Sequence, residues 1–119
     1  MSSSSDINRP RVLNQEILRR IVDLIITQAS SKRINYREEL RKYLPASLQE
    51  LGTRVFENIA ETIIARERIG ENKYVYRCSL CGRSFSSSRG VYIHLKKNHF
   101  TDLIDLLDSE LNRSIENSS

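Results

Sequence analysis

The chain has 119 residues, of which 39% are hydrophobic and 29% charged, and it carries a formal net charge of +4. This composition is globular rather than disordered, and the length fits one small domain or a helical piece beside a mini-domain. Two cysteines exclude a disulfide scaffold, and no run approaches the roughly 18 apolar residues that span a membrane.

The stretch from Met1 to Asp6 has neither the positive nor the apolar region of a signal peptide, so an intracellular protein with reduced thiols is expected, in cytoplasm or nucleoid, or in a nucleus if eukaryotic. Charge is unevenly placed: residues 1–70 carry +3, residues 71–100 carry +5 and residues 101–119 carry −4. A basic centre is thus followed by an acidic tail.

Residues 1–9 and 113–119 are polar and Ser/Asn-rich, and both ends are expected to be disordered. A first helix should begin at Pro10 or Asn14 and end near Gln28. Leu13, Ile17, Ile21, Leu24, Ile25 and Gln28 recur at helical spacing, widened by Leu18 and Val22, so this helix should be buried on two sides. A second helix is expected over 36–44, capped by Asn35 with Glu38 three residues on and stopped by Pro45.

Ser47 and Glu50 form another capping-box pair, opening a long third helix to about Arg68. Its stripe is Leu48, Leu51, Val55, Phe56, Ile59 and Ile63, with Gly52 and Ala60 as small residues that would let another helix approach closely. After Gly70 the period changes. Tyr74-Val75-Tyr76 and the segment near Phe85 suit short strands, Gly82 marks a turn, and residues 86–98 suit a helix. Thr101 can cap a last amphipathic helix over 102–111, with Leu103, Ile104, Leu106, Leu107 and Leu111 on its apolar face, which should cover the helical core. The organisation is therefore a helical region at 10–70, a compact module at 73–100 and a short helix at 101–112.

Cys78, Cys81, His94 and His99 are spaced C-x2-C-x12-H-x4-H and are all the cysteines and histidines of the chain. Two cysteines three positions apart place both thiolates on one tight turn, and two histidines on a following helix complete a tetrahedron, the pattern of a structural zinc site. Four protein ligands leave no place for a water or substrate, and no cysteine or histidine remains as base or nucleophile, so neither an enzyme nor a small-molecule substrate is expected. Tyr76, Phe85 and Val91 stand where the core of so small a module would be.

On these residues, 74–100 resembles the CCHH (C2H2-type) zinc-finger family. The resemblance implies a ββα module, one Zn2+ per chain supplying most of the module's folding energy, and a helix that enters the DNA major groove. The base-facing positions of the family fall on Ser87, Gly90 and Ile93, with Arg89 beside them. Gly90 and Ile93 offer no donor or acceptor and Ser87 discriminates poorly, which leaves Arg89 for a bidentate guanine contact. Lys73, Arg77, Arg83, Lys96 and Lys97 would hold phosphates.

The fold class expected is mainly α: three N-terminal helices, one ββα zinc finger and a short C-terminal helix. The implied function is binding of double-stranded DNA as a transcriptional regulator, and single fingers with a helical extension are similar to small regulators of archaea and their viruses as well as to eukaryotic factors. Residues 10–70 would be either a dimerisation bundle making a homodimer or a helix-turn-helix-like unit with a wing near 67–77. A different reading is a zinc-stabilised protein-interaction module binding through Tyr92 and Ile93.

Overall fold

The computed structural model describes residues 13–30 and 33–118; the expectations for residues 1–9 and for Pro10 lie outside them, as does Ser119. Among the described residues the chain is mainly helical, with five α helices and a small three-stranded antiparallel sheet in the order β1-β2-β3. The elements are α1 (Gln15–Ala29), α2 (Tyr36–Tyr43), a 3-10 turn (Ala46–Leu48), α3 (Gln49–Thr62), β1 (Ile64–Gly70), β2 (Lys73–Cys78), β3 (Ser84–Phe85), α4 (Ser88–Asn98) and α5 (Phe100–Ser118).

Local chemistry sets most of these boundaries. The Asn14 side chain accepts a hydrogen bond from the Ile17 N–H at 2.9 Å and starts α1. Asn35 does the same for α2, accepting from Glu38 at 3.4 Å, and Leu44 before Pro45 turns to extended backbone. Ser47 does not cap α3: it lies in the 3-10 turn, and α3 starts at Gln49 with no side-chain cap.

α1 lies at the centre and touches α2, α3, α4 and α5. Its buried residues are Leu18, Ile21, Val22, Ile25 and Ile26, so the stripe is centred one residue away from the one expected, with Ile17 and Leu24 at its half-buried margin. α3 answers with Val55, Phe56, Ile59 and Ala60, and Phe56 is stacked on Tyr36 with ring centroids 4.7 Å apart. Gly52 is buried because Leu44 presses on it; a Cβ there would stand 2.6 Å from Leu44 Cδ1. The close approach expected of this small-residue face is thus made within the chain. Tyr36 donates to Glu57 at 2.6 Å and Arg37 pairs with the same carboxylate at 2.7 Å, tying α2 to α3.

Two expectations are corrected here. α3 does not run to Arg68: it stops at Thr62, and β1 follows. Ile63 and Ile64 are β-branched, and from Ile64 onward the chain pairs with β2, Ile64 opposite Cys78, Arg66 opposite Tyr76 and Arg68 opposite Tyr74. Strand pairing outweighs the helix propensity of Ala65-Arg66-Glu67-Arg68. The C-terminal segment is not an irregular tail after a short helix either: α5 continues to Ser118. It begins at Phe100, so Thr101 lies inside its first turn rather than capping it.

α5 lays Leu103, Ile104, Leu107 and Leu111 into the core at 0–2% exposure. Each such burial contributes about 1.5–3 kcal/mol, which makes α5 the lid of the helical core, as its pattern predicted. The same core includes Ile63, Cys78, Val91 and Leu95, so it runs without a break from the helices into the module that follows.

Replacing Phe56 by Ala should destabilise the protein by about 3–5 kcal/mol in urea unfolding, and a loss below about 1 kcal/mol would show that the α2–α3 contact is not part of the core.

Candidate metal centre

Each candidate ligand is held by a different piece of local structure. Cys78 ends β2 and is fully buried, with its N–H bonded to Arg83 O at 2.8 Å. The turn that follows closes through Gly82 N–H to Cys78 O at 2.7 Å, and Gly82 adopts φ +83°, the left-handed backbone that favours glycine. This turn exposes Cys81. The knuckle is anchored to the helical region by Ser79, whose N–H donates to Ile63 O at 2.9 Å.

β3 returns beside β2, pairing Phe85 with Tyr76. Ser87 then caps α4, its Oγ accepting from Gly90 N–H at 3.0 Å. Val91, His94 and Leu95 form the inward face of α4 and are buried. His99 closes the helix, donating its N–H to Leu95 O while its own carbonyl accepts from Leu103 in the first turn of α5. The Phe85 and His94 rings lie 4.8 Å apart, and His94 and His99 meet edge to face at the same distance.

The result is a Cys2His2 group, Cys78, Cys81, His94 and His99, whose ligand atoms all lie within 4.8 Å of one another and which can hold a metal ion. A tetrahedral ion with bonds of about 2.0–2.3 Å sets its ligand atoms roughly 3.3–3.8 Å apart, and Cys81 Sγ is 3.3 Å from His94 Nε2. His99 supplies a stricter test. Its Nδ1 is 3.0 Å from Asp102 Oδ2, while its Nε2 is buried near the Cys81 thiol and accepts no N–H or O–H hydrogen bond among the described residues. Such an orphan is costly unless something accepts its lone pair. For His94, Asn98 Nδ2 lies 3.2 Å from Nδ1 and donates to it as placed; turning the amide over would put its oxygen there to accept an Nδ1 proton and leave Nε2 as a lone pair.

Electrostatics distinguish the four. Burial raises the Cys78 thiol above its ordinary pKa. A backbone hydrogen bond from Arg83 lowers the exposed Cys81 thiol, and the His99 side chain adds to that effect. Burial lowers His94, with the neighbouring His99 acting in the same direction. The bond to Asp102 raises His99.

The basic residues expected to meet nucleic acid divide differently. Lys73, Arg77, Arg83, Arg89 and Lys97 are exposed. Arg77 lies 3.9 Å from Glu67 across the hairpin. Lys96 turns inward instead: its ammonium hydrogen-bonds Asp23 of α1 and lies 5.8 Å from the rings of Tyr92 and Phe100. Asp23 is the principal reason its pKa is raised. Ser87 spends its hydroxyl on the α4 cap. Tyr76 and Phe85 are half-buried and Val91 fully buried, as core positions should be.

Sequence reasoning passed over two groups. Asp102 was read as part of an acidic tail, although an acid three residues after a ligand histidine, in the first turn of a helix, is placed to reach it. Arg66 and Arg68, expected on a helix, lie on β1, in the sheet that carries Cys78; the turn-forming Gly70-Glu71-Asn72 ahead of Tyr74-Val75-Tyr76 is the sign of a hairpin there. Asn72 takes φ 60° in that turn.

No protein-family model matches the chain, and neither the curated proteins nor the solved structures give a match. No helix among the described residues is long and apolar enough to cross a membrane.

Asp102→Asn should weaken metal affinity about 10–100-fold, measured by competition with a chromophoric chelator at neutral pH. The sign with pH follows from the raised His99: the proton bound there must leave before the ion enters, so affinity should fall as pH drops through the histidine range. In the Asn variant that fall should set in at lower pH, because His99 is no longer raised by Asp102, and an identical pH profile would exclude the orienting role of Asp102.

Proposed function

We infer that the chain is a zinc-dependent nucleic-acid-binding protein, a regulator of transcription acting on double-stranded DNA, in which a ββα zinc finger makes the contact. Two thiolates and two imidazoles form a donor set suited to Zn2+, and four protein ligands make a closed, structural site. When bound, the ion would join the β2 knuckle to α4 and to His99 at the α4–α5 junction. The residues that would hold it are Cys78, Cys81, His94 and His99.

The observation that carries the reading is the outward face of α4. Arg89, Ile93 and Lys97 follow one another at four-residue steps and all are exposed, while the opposite face is buried against the core. Over eight residues this stripe extends about 12 Å. Arg89 at its N-terminal end is the side chain able to read a guanine, and Lys97 at the other end suits a phosphate. Arg83, on the turn after the knuckle, and Lys73 and Arg77, on β2, extend the cationic surface. Lys96 does not belong to it, because its charge is engaged by Asp23.

The faces that favoured a dimer are filled within one chain: α1 is surrounded by four helices, and Leu44 covers Gly52. A single chain therefore suffices for this reading. α3 makes a poor groove-reading helix, since Glu50 and Glu61 are exposed on it and Glu57 is engaged by Tyr36 and Arg37 of α2. A second reading, docking of a protein partner, is favoured by the exposure of Ile93 (38%) and of Leu80 (39%) on the knuckle.

Salt dependence separates the two. If Lys73, Arg77, Arg83 and Lys97 each neutralise a phosphate, log K of the zinc-loaded protein for a duplex should fall with log salt at a slope of about −3.6 or steeper. Arg89→Ala/Lys97→Ala should weaken binding and make that slope shallower by about 1, from the Lys97 phosphate contact, whereas Lys96→Ala should leave it unchanged. Failure to bind a duplex even at low salt rejects the DNA reading.

A further inference from the structure

β1 was not expected, and it changes what the sheet offers. In antiparallel pairing, residues opposite each other share a face. Ile64 with Cys78, Arg66 with Tyr76 and Arg68 with Tyr74 therefore lie on one face, which continues through Tyr76 to Phe85 on β3. Moving outward from the metal group, this face passes from buried apolar side chains to two arginines interleaved with tyrosines. It carries no acidic residue: Glu67 pairs with Val75 on the other face, and Glu71 is in the turn.

Nothing in the fold needs this ribbon to be cationic. All of β1 beyond Ile64 is exposed. The Arg66 guanidinium lies over the Tyr74 ring at 4.7 Å, and Arg68 Nε donates to Gly70 O at 3.1 Å. Both side chains are thereby held in place with no acidic partner among the described residues, which leaves N–H groups for a ligand. A guanidinium stacked on an aromatic ring presents its remaining donors edge-on, the arrangement that suits a phosphate. β1 spans about 23 Å, enough to pass several phosphates beyond the reach of α4.

We propose that the β1–β2 ribbon is a second DNA-contacting element, with Arg66 and Arg68 holding backbone phosphates of the same duplex that α4 meets. The inference rests on the nucleic-acid reading and extends it to residues outside the zinc-finger segment. It also supplies the extra surface that a lone finger lacks for tight binding. The ribbon acts by charge, so its contribution is independent of base sequence.

The test uses the full zinc-loaded chain and a fluorescein-labelled mixed-sequence duplex, followed by anisotropy across a salt series. Arg66→Ala/Arg68→Ala should make the log–log slope shallower by about 2 and weaken binding on every duplex tried by the same factor. Because both residues are exposed, zinc content and far-UV circular dichroism should match the parent protein. Lys substitutions at both positions should restore most of the slope. An unchanged slope in the double Ala variant, with Arg89→Ala/Lys97→Ala still weakening binding, overturns the ribbon and leaves the finger reading intact. No binding by the parent protein at low salt overturns both. A slope lowered only on single-stranded RNA of equal length overturns the assignment to duplex DNA.

Discussion

The molecule turns on the burial of Cys78. This residue ends β2, is fully buried, and belongs both to the Cys/His group and to the hydrophobic core that includes Ile63, Val91 and Leu95. Its backbone neighbour Ser79 is bonded to Ile63 O just past the end of α3. A thiol in that position is desolvated, and its pKa is raised for that reason. The site therefore favours a neutral Cys78 until a cation arrives to stabilise the thiolate.

Sharing one residue between core and metal group alters the energetics expected of so small a module. A module held by Tyr76, Phe85 and Val91 alone would depend on its ion for nearly all of its stability. Here Val91 and Leu95 are at 0% exposure within the core that α1, α3 and α5 build. The helices supply packing to the module, and Lys96 with Asp23 adds a polar tie between α4 and α1. An ion would then add to a module already placed by packing, and its larger effect would be on the order of the knuckle and of the His99 junction.

Much of this was legible in the sequence because it rests on local rules. Ligand spacing identifies the Cys/His group, Asn14 and Asn35 mark helix starts, Pro45 marks a stop, and the runs at helical spacing pick out most of the buried residues of α1, α3 and α5, though not Ile26, Leu40, Leu44 or Leu95. What escaped depends on partners distant in sequence. Residues 64–70 have a helix-compatible composition, and only pairing with β2 makes them a strand. Lys96 looks like any basic residue beside a histidine ligand; its partner Asp23 lies 73 positions away. The end of α5 is polar, and it is helical because Leu103, Ile104, Leu107 and Leu111 have already fixed the preceding turns against the core.

Asp102 shows how one acid can satisfy two constraints that composition alone would keep apart. In the first turn of α5 its negative charge meets the positive end of the helix dipole, which favours the helix beginning there. From that position it also reaches His99 Nδ1, fixes the proton on that nitrogen and turns Nε2 towards the two thiols. The same helix carries the leucines that close the core, so the orientation of His99 is set by how α5 seats. The seating of α5 and the orientation of His99 are in this way linked, and one acid of this last helix is accounted for by the site it abuts.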